Sequence, residues 1–168
     1  MSTVVHRNTL EVRESVNEPD YDTSLWLIAP TIPDAPKRYW VVEGDDLREA
    51  TDEEKVPIDI EYLAQQKEQR IQELREQYNE ALELRYQTRT LLYASYLLTK
   101  AMATMDEDVV DYLSELAQWI EDGDVLVETA ESIVSASQTV EDGHSVTLTL
   151  TSWLEADPKV STRIARNM

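Results

Sequence analysis

The chain has 168 residues, with 34 Asp and Glu against 15 Lys and Arg, a formal net charge of −19 and no cysteine. That balance argues against nucleic acid and anionic membrane surfaces as partners, because there is no excess of cations to displace counterions. The missing cysteines exclude disulfides, thiolate metal sites and cysteine nucleophiles.

Apolar residues make up 42% of the chain, which is enough for one modest core, and three glycines are too few for a Gly-rich phosphate loop. Only five of the 15 cations are lysines. Acidic, Lys-poor surfaces suit saline surroundings, where salt screens self-repulsion, so a halophilic source stands beside an ordinary acidic protein as an expectation. The N-terminus lacks an apolar leader, and the most apolar stretch, residues 91–98, is far short of the roughly 18–20 residues of a membrane span. The sequence reads as a soluble protein.

Residues 1–57 read as an extended β arm. Residues 3–16 mix β-branched and polar side chains, with Val4, Leu10 and Val12 on one strand face and Arg7, Glu11 and Arg13 on the other. Residues 24–29 are a short apolar strand, followed by a stiff linker carrying Pro30, Pro33 and Pro36. Residues 38–49 read as a hairpin: a Tyr39-Trp40-Val41-Val42 strand, a Gly44-Asp45 turn and a return through Leu47 and Arg48. Thr51 to Glu54 has capping-box spacing, and Pro57 is expected to limit any helix there to one turn.

Residues 58–141 read as the helical region. A long helix over about 59–105, capped by Asp59, contains neither Gly nor Pro and is rich in Glu, Gln, Leu, Arg and Ala. At 1.5 Å per residue it would span about 70 Å, too long for this chain alone to bury. Its first half carries a partial heptad seam, including Ile60, Ile71, Leu74, Tyr78 and Ala81, interrupted by Lys67 and Arg85. Two shorter antiparallel helices are expected next, ended by Asp122-Gly123 and Asp142-Gly143. Residues 142–168 complete the chain: a strictly alternating segment over 145–153, read as a strand, and a basic tail with Lys159, Arg163 and Arg166. The fold class expected is therefore mainly α with β arms at both ends. The tail is expected to dock on an acidic surface of its own or a neighbouring subunit.

Candidate chemistry is sparse. Glu141 and His144 have the spacing of one half of a di-iron carboxylate site, but the second half is missing and His6 lies in an extended segment. His144 adjoins Ser145 without the turn that presents a catalytic serine. The aromatic set Trp26, Tyr39, Trp40, Trp119 and Trp153 could form a carbohydrate platform, but core or interface anchoring is the better reading. No catalytic residue, metal ligand or cofactor is assigned, and the chain reads as non-enzymatic.

The segment from Arg38-Tyr39-Trp40-Val41-Val42-Glu43-Gly44-Asp45 through Leu47-Arg48-Glu49-Ala50-Thr51-Asp52-Glu53-Glu54-Lys55 resembles one found in virion structural and tail-fibre-associated proteins of tailed viruses, whether bacteriophages or haloarchaeal viruses. There a Tyr-Trp strand, a Gly/Asp turn and a returning strand lead through Met-Thr-x-x-Glu-Lys into a helix; Ala50 stands here in place of the Met. The resemblance covers about a tenth of the chain and identifies no functional residue. It implies a virion protein, at the tail or capsid surface, that assembles as a homo-oligomer, often a trimer, and with other virion proteins. The residues expected at assembly contacts are Ile60, Ile71, Leu74, Tyr78 and Ala81 on the seam, with Tyr39 and Trp40 on the hairpin. A capsid cement or decoration protein and a cellular scaffold or adaptor are the alternatives.

Overall fold

The structure is a computed structural model that describes residues 2–86 and 88–158. The chain is mainly helical with small antiparallel sheets near its N-terminus. It divides into two compact units, Met1–Tyr62 and Leu63–Met168. No helix among the described residues is long and apolar enough to cross a membrane.

The first unit contains two sheets. Strands β1 (Ser2–His6), β2 (Val12–Val16) and β3 (Trp26–Ile28) form an antiparallel sheet in the order β2-β1-β3. The reading of residues 3–16 as one strand is corrected: the chain reverses between β1 and β2. Leu10 sits there at φ 53, its N–H bonded to the His6 carbonyl, while the His6 N–H returns to the Glu11 carbonyl. A β-period pattern does not show where a strand turns back when the turn carries neither Gly nor Pro. Strands β4 (Trp40–Glu43) and β5 (Asp46–Glu49) form the expected hairpin, with Val42 opposite Leu47 and Glu43 opposite Asp46. Gly44 has φ +61 at the first position of the two-residue turn, a conformation that favours glycine. Val5, Leu27 and Leu47 form a buried cluster in this unit, with Leu10, Trp40 and Val42 packed around it, and Val4 and Ala50 are buried as well.

Helix α1 (Asp52–Arg85) begins seven residues before the expected start. Pro57 lies inside it rather than ending it. The capping box makes the early start possible: the Thr51 N–H donates to Glu54 Oε2 at 2.8 Å and the Glu54 N–H donates to Thr51 Oγ1 at 3.3 Å.

The second unit holds the rest of α1 with α2 (Thr88–Thr104), α3 (Glu107–Ala136), α4 (Val140–Ser145) and α5 (Thr151–Glu155). Three expectations are corrected here. The long helix over 59–105 is two helices, α1 and α2. Tyr86 lies just beyond α1, and its ring is only 1% exposed, packed against Trp119. Helical propensity carries no information about such a break, which burial of a large aromatic favours.

Second, the two short helices are one, because α3 runs through Gly123. A Cβ at Gly123 would lie 2.7 Å from the rings of Trp153 and Tyr78. The glycine makes room for two aromatic side chains instead of ending the helix.

Third, residues 146–150 form no strand, and the chain enters α5 at Thr151. Val146, Leu148 and Leu150 still face one way, but they pack on helices: Val146 and Leu148 beside Leu74, Ala130 and Val134, and Leu148 and Leu150 on the aromatic core. The Val146 carbonyl accepts from Arg70 Nη2 at 2.6 Å, a side-chain donor in place of a neighbouring strand.

The connection from α2 to α3 is short because Met105 takes φ 55 and the Asp106 N–H returns to the Ala101 carbonyl at 3.0 Å. Asp106 then caps α3, accepting from the Val109 N–H. The basic tail, Lys159, Arg163 and Arg166 included, lies outside the described residues.

Candidate interaction surfaces

The hairpin and the start of α1 are joined by charge-assisted hydrogen bonds. Arg48 donates from Nε to Glu43 at 2.5 Å and from Nη1 and Nη2 to the two Glu54 oxygens at 2.8 and 2.9 Å. The Arg48 pairing, together with the Thr51 N–H, holds the Glu54 carboxyl down at about 2, well below its ordinary 4.5. The Arg38 guanidinium lies 4.5 Å from the Tyr39 ring centroid and 4.7 Å from that of Tyr62, and Tyr39 donates its hydroxyl to Asp59 at 2.6 Å. Trp40 donates from Nε1 to the Ala35 carbonyl at 2.8 Å. Both hairpin aromatics expected at assembly contacts are therefore engaged within the first unit, and each is half-buried.

The seam residues separate into two sets. Leu74, Tyr78 and Ala81 are buried in the second unit's own cores, and Ile71 packs beside Leu74. Their apolar spacing serves packing within the chain. Ile60 is 65% exposed. Two cations of α1 also reach α3: Lys67, which interrupts the seam, donates to the Ser135 carbonyl at 2.9 Å, and Arg75 pairs with Glu131 through two bonds at 2.5 and 2.8 Å. Lys67 thus meets one of the unpaired carbonyls in the last turn of α3, where a cation is favoured.

The centre of this unit is aromatic. Trp119 and Trp153 stack with centroids 4.2 Å apart and planes 7° from parallel. Each indole N–H donates to the other residue's backbone carbonyl, Trp119 to Trp153 at 2.7 Å and Trp153 to Trp119 at 2.6 Å. Both rings are buried, so this reciprocal pairing satisfies two donors that burial would otherwise strand. Tyr78 tilts against Trp153 at 5.2 Å, and burial, followed by the nearby Asp124, pushes its hydroxyl pKa up. Trp26, the remaining tryptophan, meets His6 and Tyr21 edge-on. None of the four tryptophans lines an open platform; each packs or bonds within its own unit.

The residues weighed for chemistry have local roles. His6 Nδ1 accepts from the Asn8 and Thr9 N–H groups in the β1–β2 turn. Ser145 donates to the Asp142 carbonyl at 2.7 Å, within α4. Thr139 caps α4, which contains Gly143. Among the described residues, no three of His, Asp and Glu come together in a metal-binding arrangement.

Sequence reasoning passed over the outer face of α2. Leu92 is 69% exposed, Tyr96 61% and Met102 66%. Leu92, Tyr96, Thr99 and Ala103 follow one another at helical spacing, all exposed. The helix contains no Asp or Glu at all. The even spread of apolar residues beyond residue 91 suggests burial on several sides, but α3 covers one side and leaves this one open. Neither a protein-family model, nor a curated protein, nor a solved structure matches the chain.

Proposed function

We propose that this chain is a non-enzymatic structural protein of a tailed virus particle, a tail or tail-fibre component or adaptor, that works by associating with copies of itself and with other virion proteins. The observation that carries the assembly reading is the exposed apolar side of α2, a helix without a single acid. Copies of a chain with net charge −19 repel one another over most of their surface. A helix with no acidic residue and with Leu92 and Tyr96 open to solvent is a place where two copies meet without opposing like charges. The viral part is supported by residues 38–55, in which a strand starting at Trp40, just after Tyr39, a Gly-Asp turn, a return strand and a capped helix follow the order of the segment they resemble. Ala50, which replaces the usual Met there, is buried.

The association is tested by light scattering at micromolar concentration in low and high salt. An oligomer is expected, and it should fall to monomer in the Leu92→Glu, Tyr96→Glu double variant with helicity unchanged. A wild-type monomer under both conditions would overturn it. The particle assignment is tested by quantitative mass spectrometry of purified virions from the source culture. A few to dozens of copies per particle fit a tail component, hundreds point to capsid cement instead, and detection only in particle-free cells points to a cellular scaffold.

A further inference from the structure

The open side of α2 has a definite pattern. Leu92, Tyr96, Thr99 and Ala103 follow one another at spacings of four, three and four residues, and all four are exposed. That is the spacing of a coiled-coil seam, whose residues meet those of a facing helix in layers. The large side chains come first, with Leu92 69% and Tyr96 61% exposed, and the small ones follow. The Thr99 hydroxyl donates to the Ser95 carbonyl at 3.0 Å, so it can be covered without stranding a donor. Helix α2 itself carries no acid, while Asp106 and Glu107, just beyond its C-terminal end, are both exposed.

Building on the association through α2 put forward above, we propose that two copies pair their α2 helices antiparallel, about a two-fold axis between Tyr96 and Thr99. Leu92 then lies over the second copy's Ala103, and Tyr96 over the second copy's Thr99, and the symmetry repeats both layers. Each layer sets a large side chain against a small one, which fills the space between the helices evenly. A parallel pair would stack Tyr96 on Tyr96 and Ala103 on Ala103, crowding one layer and leaving the other under-filled. Charge favours the same orientation. The antiparallel register brings Asp106 and Glu107 of each copy level with the first turn of the other copy's α2, where unpaired backbone N–H groups favour negative charge. A parallel pair would instead set these acids level with their own counterparts. An unrelated helix could also cover the seam, but a reversed copy of α2 matches it layer for layer.

The absence of cysteine allows a direct test. Leu92 and Ala103 are about 16 Å apart along one helix, whereas a disulfide needs Cα atoms within about 7 Å. Two single variants of the full chain, Leu92→Cys and Ala103→Cys, are oxidised mildly, each alone and in equal mixture. The mixture is expected to form the mixed disulfide, identified by intact mass, at least tenfold faster than either variant joins to itself. The unmodified chain gives a check independent of the substitutions. In a sample combining isotope-labelled and unlabelled copies, a methyl NOE between Leu92 of one copy and Ala103 of another is expected. If light scattering finds an oligomer but the mixed disulfide is no faster, or that methyl contact is missing, the antiparallel pairing is overturned while association itself stands. A monomer by light scattering overturns both, whether the seam is left open or taken by another protein.

Discussion

The two units solve the same acidic composition in opposite ways. The first pairs its charges: Arg7 with Asp45, Arg13 with Glu11, Arg38 with Asp59, Arg48 with Glu43 and Glu54, and Lys55 with Glu49 and Asp52. Its apolar core is small: Val4, Val5, Leu27, Leu47 and Ala50 are buried, with Leu10, Trp40 and Val42 packed against the cluster of Val5, Leu27 and Leu47. The second unit places a cation-free helix, α3, against an aromatic core and leaves most of its acids to solvent. The lesson is that net charge does not say how a fold is held. Surface ion pairs each contribute little, roughly 0–1 kcal/mol, so the first unit depends on networks and caps. The second depends on burial of large rings, at several kcal/mol each.

The largest expected effect is in the aromatic core. Trp119→Ala removes a buried ring, its stacking on Trp153 and the indole N–H bond to the Trp153 carbonyl, and should destabilise the second unit by about 3–5 kcal/mol in a denaturant titration followed by circular dichroism. An effect under about 1 kcal/mol would erase the proposed contrast. Next is Gly123→Ala. In an exposed helix this change gains about 1 kcal/mol, but here the new Cβ meets two rings at 2.7 Å, so a net loss of about 1–3 kcal/mol is expected. A gain would show that Gly123 weakens the helix without serving the packing.

The first unit should respond to acid instead. Glu54 titrates at about 2 in the folded chain against an ordinary 4.5, so its contribution is present above about pH 4.5 and is lost as pH falls toward 2. Loss of hairpin signals by NMR over that window is expected, and Arg48→Ala should flatten the dependence by returning Glu54 toward its ordinary value. The smallest effect is at Met105, held at φ 55 and 87% exposed. Met105→Gly relieves the left-handed strain and should stabilise the α2–α3 turn by about 1 kcal/mol, read as a raised melting temperature.

Several of these features were legible in the sequence. The hairpin was, because Gly44 sits where a positive φ is needed and β-branched residues flank it. The capping box was, because its spacing alone places Thr51 and Glu54 in reach of each other's N–H groups. The seam was legible as apolar spacing but not as to its partner: Leu74, Tyr78 and Ala81 turn toward the same chain, and a periodic stripe carries no mark of whether its cover lies in the same or another molecule. The open side of α2 was hidden for the same reason. From Leu91 onward apolar residues surround the helix, and only the position of α3 decides which of them are left outside.

By itself the sequence determined the helical character, the acidic composition, the hairpin and the Thr51–Glu54 capping box, because these follow from backbone propensity, charge and hydrogen bonds over a few residues, whereas Asp59, expected to cap the long helix, lies inside α1. The tertiary structure decided the three points at which local reading failed in the second unit. Burial of Tyr86 accompanies the break between α1 and α2, two aromatic rings occupy the space a side chain at Gly123 would fill, and Arg70 takes the Val146 carbonyl that a strand would have offered to a neighbour. Each depends on a residue distant in the chain, so no window of sequence contains the interaction that settles it.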